Sequence, residues 1–141
     1  MNHEWKQKPD DWDWVSERGR CSGAAVFETL WGLARESVKK RNDQNKEGTD
    51  KERFNISQPQ RHTFVVSDTF VRFESRAVAV ELGSEEIHVR RSGKTEETVY
   101  TLSLNDSGDC RLLSGGVHYQ PWQVMRRALE DLFFGDWTRS V

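Results

Sequence analysis

The chain has 141 residues, which is the size of one domain and a poor fit to two. Its net charge of −2 lacks the basic excess that is typical of a dedicated nucleic-acid-binding protein. The two cysteines form no CxxC pair and no Cys/His cluster, which argues against a disulfide framework and against a structural zinc site. We therefore expect no metal and no other cofactor.

The beginning of the chain, MNHEWKQKPDDWDW, has neither the basic start nor the apolar stretch of a secretion signal. No apolar run approaches the roughly 20 residues that a membrane-spanning helix needs. We expect a soluble protein of the reducing cytoplasm that does not bind membranes.

The first 20 residues are highly charged but hold three of the six tryptophans, Trp5, Trp12 and Trp14. Burial of an indole ring is favourable, so this composition is unusual for a disordered tail. Two interpretations remain open: an irregular lid that packs across the domain, or an acidic and aromatic peptide that docks on a partner protein. We predict a Trp-rich arm over residues 1–20 and a single domain over residues 21–137.

A first helix is predicted after Ser22, whose hydroxyl can cap the helix N-terminus. Basic residues 39–41 suit its last turn, because positive charge is favourable at the C-terminal end of the helix dipole. Gly32, inside the helix, suggests close approach of another element. The charged stretch over residues 39–53 predicts a mobile loop. One apolar stripe marks the buried side: Phe27, Leu30, Trp31, Ala34 and Val38.

Residues 54–113 show the period-two apolar spacing of strands, separated by short turns rich in Gly, Asn and Ser. Turns this short join antiparallel neighbours, because parallel strands need long crossover connections. We therefore predict an antiparallel meander of four to six strands. The alternating positions are Phe64, Val66, Val71, Phe73, Val78, Val80, Leu82, Ile87, Val89, Tyr100, Leu102 and Leu104, and the series is expected to end with Cys110 and Leu112.

A last helix is predicted from Pro121 to a stop at Gly135. Two charged pairs spaced four apart, Arg126 with Glu130 and Arg127 with Asp131, are expected on its outer surface. The two helices can both pack on one face of the sheet, which is an α+β architecture of a kind found in small bacterial domains. The apolar stripe of this last helix comprises Trp122, Met125, Ala128, Leu129, Leu132 and Phe133.

Cys21 lies directly before the first helix, in the sequence GRCSGAAVF. The positive end of a helix dipole favours the thiolate of such a cysteine. The Cys-Ser-Gly sequence followed by an apolar helix resembles the nucleophile motif of the NlpC/P60 cysteine peptidases. The resemblance implies that Cys21 is a catalytic nucleophile and that a histidine on the following sheet is its base. A charged loop stands where that family has a Gly-Asp turn, and His62, His88 and His118 are the candidate bases. A cysteine-dependent hydrolase is one alternative function.

A second alternative concerns the predicted hairpin from His88 to Lys94, which also contains Arg90 and Arg91. These side chains would form a small basic surface that binds nucleic acid or another anion weakly. Four glutamates surround it and few aromatic residues accompany it, whereas nucleic-acid-binding sheets pair basic residues with stacking aromatics. Nucleic acid is therefore not the partner that we expect.

The leading prediction is a non-enzymatic interaction or ligand-binding module, because no catalytic constellation is evident and aromatic residues are concentrated near both ends of the chain. The partner would be another protein or a second copy of the chain. The predicted binding residues are Trp5, Trp12, Trp14, Phe134 and Trp137.

Overall fold

The structure, a computed structural model, describes residues 13–44, 53–69, 76–104 and 108–135. These residues form three helices and seven strands. The elements in chain order are α1 (Trp14–Arg20), α2 (Gly23–Asp43), β1 (Phe54–Gln60), β2 (Thr63–Asp68), β3 (Arg76–Gly83), β4 (Glu86–Arg91), β5 (Glu97–Leu104), β6 (Cys110–Ser114), β7 (Val117–Tyr119) and α3 (Pro121–Phe134).

The seven strands form one sheet, in which each strand pairs antiparallel with the next along the chain. The α+β class, the antiparallel meander and the helices at both ends are confirmed. The sheet has one strand more than the largest number expected. Two of the strands, β1 and β7, were not among those recognised from alternating apolar residues. Each of these edge strands carries one alternating apolar pair, Phe54 with Ile56 and Val117 with Tyr119, but polar residues complete β1 and β7 has three residues.

One face of the sheet is covered by α2 and α3, and the core lies between these helices and the sheet. The strand register explains how the alternating residues combine, since Phe64 pairs with Val80 and Val80 pairs with Val89 across three strands. The largest fully buried side chains are Tyr100, Phe27, Phe64, Leu30, Ile87, Leu112 and Leu132.

The helix α2 begins as expected, because the Ser22 hydroxyl accepts a hydrogen bond from the Ala25 N–H at 3.2 Å. The C-terminal end of α2 is hydrogen-bonded to the beginning of β1. The Asn42 side chain accepts from the Phe54 N–H at 3.0 Å and donates to the Phe54 carbonyl at 2.9 Å. The helix includes residues 39–43, so the loop expected over residues 39–53 begins no earlier than residue 44, and residues 45–52 lie outside the described residues.

The two glycines of α2 make a matched test of packing around this helix. A Cβ at Gly23 would lie 2.7 Å from Leu82 Cδ1 and 3.2 Å from the Cα of Glu85, whereas a Cβ at Gly32 would meet nothing within 4 Å. The close approach expected at Gly32 therefore occurs at Gly23. We expect Gly23→Ala to lower the free energy of unfolding by about 1–3 kcal/mol through overpacking. We expect Gly32→Ala to raise it by about 0.5–1 kcal/mol through helix propensity. Urea unfolding checks both, and equal effects would contradict the packing at Gly23.

The helix α3 begins at Pro121 and ends at Gly135, whose φ of 100° is the left-handed conformation that glycine adopts readily. The C-terminal ends of α2 and α3 lie together. At their C-terminal ends the Arg41 Nε donates a hydrogen bond to the Phe133 carbonyl at 3.0 Å.

A disulfide joins Cys21, in the turn between α1 and α2, to Cys110, the first residue of β6. The Cα atoms are 5.4 Å apart, which is typical of bonded cysteines, and Cys21 is buried. The expectation that the cysteines form no disulfide is wrong, because 89 positions separate them and only the folded sheet brings them together. Disulfides persist mainly in oxidising compartments, so the cysteines give no support to the expected reducing environment.

The short helix α1 was not predicted. Asp13 caps it by accepting a hydrogen bond from the Ser16 N–H at 3.1 Å, and none of its residues is buried. Within residues 13–20 the arm is therefore helical rather than irregular, and Trp14 does not seal the domain. Residues 1–12 lie outside the described residues.

Candidate functional site: the groove between α2 and α3

The outward sides of α2 and α3 enclose a groove of about 390 Å³. Its floor is apolar and consists of side chains that also touch the core. The groove extends from Leu33 to Gln44 along α2 and its C-cap and from Trp122 to Phe134 along α3, which are 11 and 12 residue steps or about 16–18 Å at 1.5 Å per residue. It is therefore long enough for about three turns of a third helix. The lining residues are Leu33, Ser37, Lys40, Arg41, Gln44, Trp122, Met125, Arg126, Leu129, Glu130, Phe133 and Phe134.

Exposed aromatic rings stand at the two ends of the groove. Trp122, in the first turn of α3, is 51% exposed, and Phe134, its last residue, is 66% exposed. The Trp122 Nε1 donates to the Gln120 Oε1 at 3.1 Å, so the polar atom of the indole already has a partner within the chain. Large apolar side chains of this kind are typical of protein-binding surfaces, where they bury much area on contact.

Positive charge predominates along the rim. Lys40, Arg41 and Arg126 line the groove together with one carboxylate, that of Glu130. The Arg41 guanidinium lies over the Phe134 ring, 4.8 Å from its centroid, and burial lowers its pKa. An arginine remains cationic at neutral pH, so the rim favours an occupant that carries carboxylates.

The structure separates the residues that were predicted to bind a partner. Phe134 lines the groove, whereas Trp14 is 62% exposed on α1 and does not contribute to the groove. Trp5, Trp12 and Trp137 lie outside the described residues.

Sequence reasoning missed Trp122 as a surface residue and placed it on the buried stripe of the last helix. It also placed Asp131 on the outer surface, but Asp131 is buried and pairs with Arg91 of β4. The sequence signal for this exposed side of α3 was the interval of four residues between Trp122, Arg126, Glu130 and Phe134. Residues four apart lie on one side of a helix, and these four form an exposed ridge of α3.

The sheet face opposite the helices, here named the open face, carries a charged network. His88 Nδ1 lies 2.9 Å from Glu97 Oε2, and Arg90 donates to Glu81 at 3.0 Å. The hydrogen bond with His88 is the main reason that the pKa of Glu97 lies below its ordinary value. The open face comprises Asn55, Ser57, Thr63, Val65, Ser67, Ala77, Ala79, Glu81, Glu86, His88, Arg90, Glu97, Val99, Thr101, Ser103, Arg111, Leu113 and His118.

The basic hairpin from His88 to Lys94 is not one surface in the structure. His88 and Arg90 lie on the open face beside carboxylates, while Arg91 lies on the core face and pairs with Asp131. The strand alternation therefore divides the cationic side chains between two faces of the sheet. Nothing in this arrangement concentrates positive charge for an anion.

The Cys21 sulfur is bonded to that of Cys110, so the thiolate that the hydrolase alternative requires is not present while the disulfide is intact. Of the three candidate bases, His62 packs edge-on against the Phe27 ring, His88 lies beside Glu97, and His118 is exposed on β7. Because Cys21 and Cys110 are bonded to each other, the residues that the structure describes include no free cysteine to act as this nucleophile.

Within the four described ranges, no group of three or more His, Cys, Asp or Glu side chains is placed to hold a metal ion. Among the same residues, no helix is long and apolar enough to cross a membrane. Comparisons of the chain with protein-family models, with curated proteins and with solved structures give no match.

Proposed function

We propose that the chain is a non-enzymatic protein-interaction module whose groove between α2 and α3 binds an α-helix. The observation that carries the proposal is the combination of an apolar floor, an exposed aromatic ring at each end and a cationic rim along one groove. Amphipathic helices bind such grooves through apolar anchors at helical spacing. The occupant is a helix with an apolar or aromatic face and a carboxylate that can reach the cationic rim.

The length of the groove supports this class of occupant. Apolar anchors at i, i+4, i+7 and i+11 of a helix span about 16 Å, which matches the separation between the two ends of the groove. The rim arginines can bind carboxylates through two parallel hydrogen bonds, which would fix the orientation of the bound helix.

The groove contrasts with the open face of the sheet. On that face the charged side chains of His88, Glu97, Arg90 and Glu81 already pair with one another. A partner there would have to disrupt these pairs. In the groove the exposed Trp122 ring loses only water on binding, and the Arg126–Glu130 pair of the rim is solvent-exposed and costs little to rearrange.

Titration with a designed helix of about 18 residues, about 27 Å long, tests the proposal. The peptide carries leucines at i, i+4, i+7 and i+11 with glutamates beside them, and a matched peptide carries lysines in place of the glutamates. We expect the acidic peptide to bind at least about tenfold more tightly, as measured by anisotropy of a dye on the peptide.

Two pairs of variants control this measurement. Trp122→Ala is expected to weaken binding by about tenfold or more, while Trp14→Ala, at an exposed indole outside the groove, leaves it unchanged. Lys40→Glu is expected to remove the preference for the acidic peptide, while Lys39→Glu, one position away and outside the groove, keeps it. Equal affinity of the two peptides for the unaltered chain would contradict the proposal.

A further inference from the structure

The exposed ridge of α3 has a symmetric order of side chains. Trp122, Arg126, Glu130 and Phe134 follow one another at intervals of four, so that an aromatic residue stands at each end and a cation and an anion stand between them. The charged pair is solvent-exposed, at 66% for Arg126 and 43% for Glu130, with 3.4 Å between Nε and Oε1. All four side chains line the groove.

Such a ridge is complementary to itself in the antiparallel direction. When a second copy is related by a two-fold axis at the centre of the ridge, Trp122 of each chain faces Phe134 of the other, and Arg126 faces Glu130. A two-fold interface requires this reciprocity, in which residue i contacts j and j contacts i. A parallel arrangement in the same register would place like charges opposite each other.

From this complementarity, and resting on the proposed function of the groove, we infer that the helix bound there is α3 of a second copy of this chain. The module is then a homodimer in which each α3 lies against the groove of the other. Ridges formed by residues four apart pack with helices crossing at about −50°. At that crossing angle the ridge of one α3 runs parallel to the ridge of the other. The contact between Trp122 of one chain and Phe134 of the other is therefore kept at both ends.

Formation of the dimer would regulate the binding of other proteins to the groove. A helix of a different protein can enter only where the second α3 has left, so the dimer and the heterologous complex compete for one surface. Carboxylate-bearing helices would then displace the second copy, since Glu130 is the one acidic side chain that α3 contributes to the ridge.

Charge reversal at the centre of the ridge tests the inference by sedimentation equilibrium over a wide range of concentration. The unaltered chain is expected to form dimers. Arg126→Glu alone places Glu opposite Glu at two symmetric contacts, and Glu130→Arg alone places Arg opposite Arg. Each single variant is expected to weaken the dimer by about tenfold or more.

The decisive sample is a mixture of the two single variants. In a mixed pair every contact again joins Glu to Arg, so we expect heterodimers to form although neither variant pairs with itself. Both positions are exposed, so folding is expected to persist, and far-ultraviolet circular dichroism checks it. A monomeric unaltered chain, single variants that dimerise as before, or a mixture that stays monomeric would each overturn the inference.

The two proposals can fail separately. If the unaltered chain is monomeric but binds the acidic helical peptide, the second copy is not the occupant and the groove function stands. If the dimer forms and obeys the charge-reversal pattern but no peptide enters or competes, the second copy is the occupant and binding of a heterologous helix is wrong.

Discussion

Reduction of the Cys21–Cys110 disulfide is expected to lower the free energy of unfolding by about 4 kcal/mol. The bond closes a loop of 89 positions, and a cross-link of that length removes much of the conformational freedom of the unfolded chain. The loss is a large fraction of the roughly 5–15 kcal/mol that stabilises a typical domain. Urea unfolding with and without a thiol reductant measures it.

The double variant Cys21→Ser, Cys110→Ser is the control for this prediction. It should show the lowered stability without reductant and no further change when the reductant is added. If the reductant leaves the stability of the unaltered chain the same, the two sulfur atoms are not bonded in the folded protein. The account of the α1–α2 junction would then be wrong, and Cys21 would again be available as a thiolate.

Removal of the buried carboxylate of α3 is the second large effect that we expect. Asp131 and Arg91 are 5% and 3% exposed, and their ion pair joins α3 to β4 within the core. Asp131→Ala is expected to lower the free energy of unfolding by about 3–5 kcal/mol, because it leaves the Arg91 charge buried without its carboxylate.

Two comparisons make the cause of that loss specific. The double variant Arg91→Met, Asp131→Leu removes both charges and is expected to recover most of the stability, since apolar side chains of similar volume can replace a buried pair. Arg90 neighbours Arg91 on β4 but is exposed, and Glu81 of β3 is one of its partners. Glu81→Ala is therefore expected to change the free energy of unfolding by less than about 1 kcal/mol. Equal losses for Asp131→Ala and Glu81→Ala would contradict the buried position of the pair.

Much of the fold could be predicted because its pairing is local. Each strand pairs with the next along the chain, so the period-two residues and the short turns together specify the meander. The helix ends were also predictable, since Ser22 caps α2 and Gly135 ends α3 through interactions with neighbouring residues. The edge strands β1 and β7 carry few buried residues, and their single alternating pairs, Phe54 with Ile56 and Val117 with Tyr119, were not recognised.

The candidate site depended on contacts between distant parts of the chain. The groove forms only because α2, which precedes the sheet in the sequence, and α3, which follows it, pack side by side. A helical stripe shows which residues are apolar but not where the neighbouring helix stops covering them. For this reason Trp122 was assigned to the core, and Asp131, which follows an exposed glutamate, was assigned to the surface. The disulfide was missed for the same reason, because it joins residues 89 positions apart.

We propose that this protein binds its partner through the groove between α2 and α3 and not through the open face of the sheet. A ¹H–¹⁵N spectrum recorded during titration with the acidic helical peptide tests it most directly. We predict that the shifted amide signals belong to residues 33–44 and 122–134, while His88, Thr101 and Leu113 on the open face stay unchanged. Shifts concentrated at those three positions, with α2 and α3 unaffected, would contradict the claim.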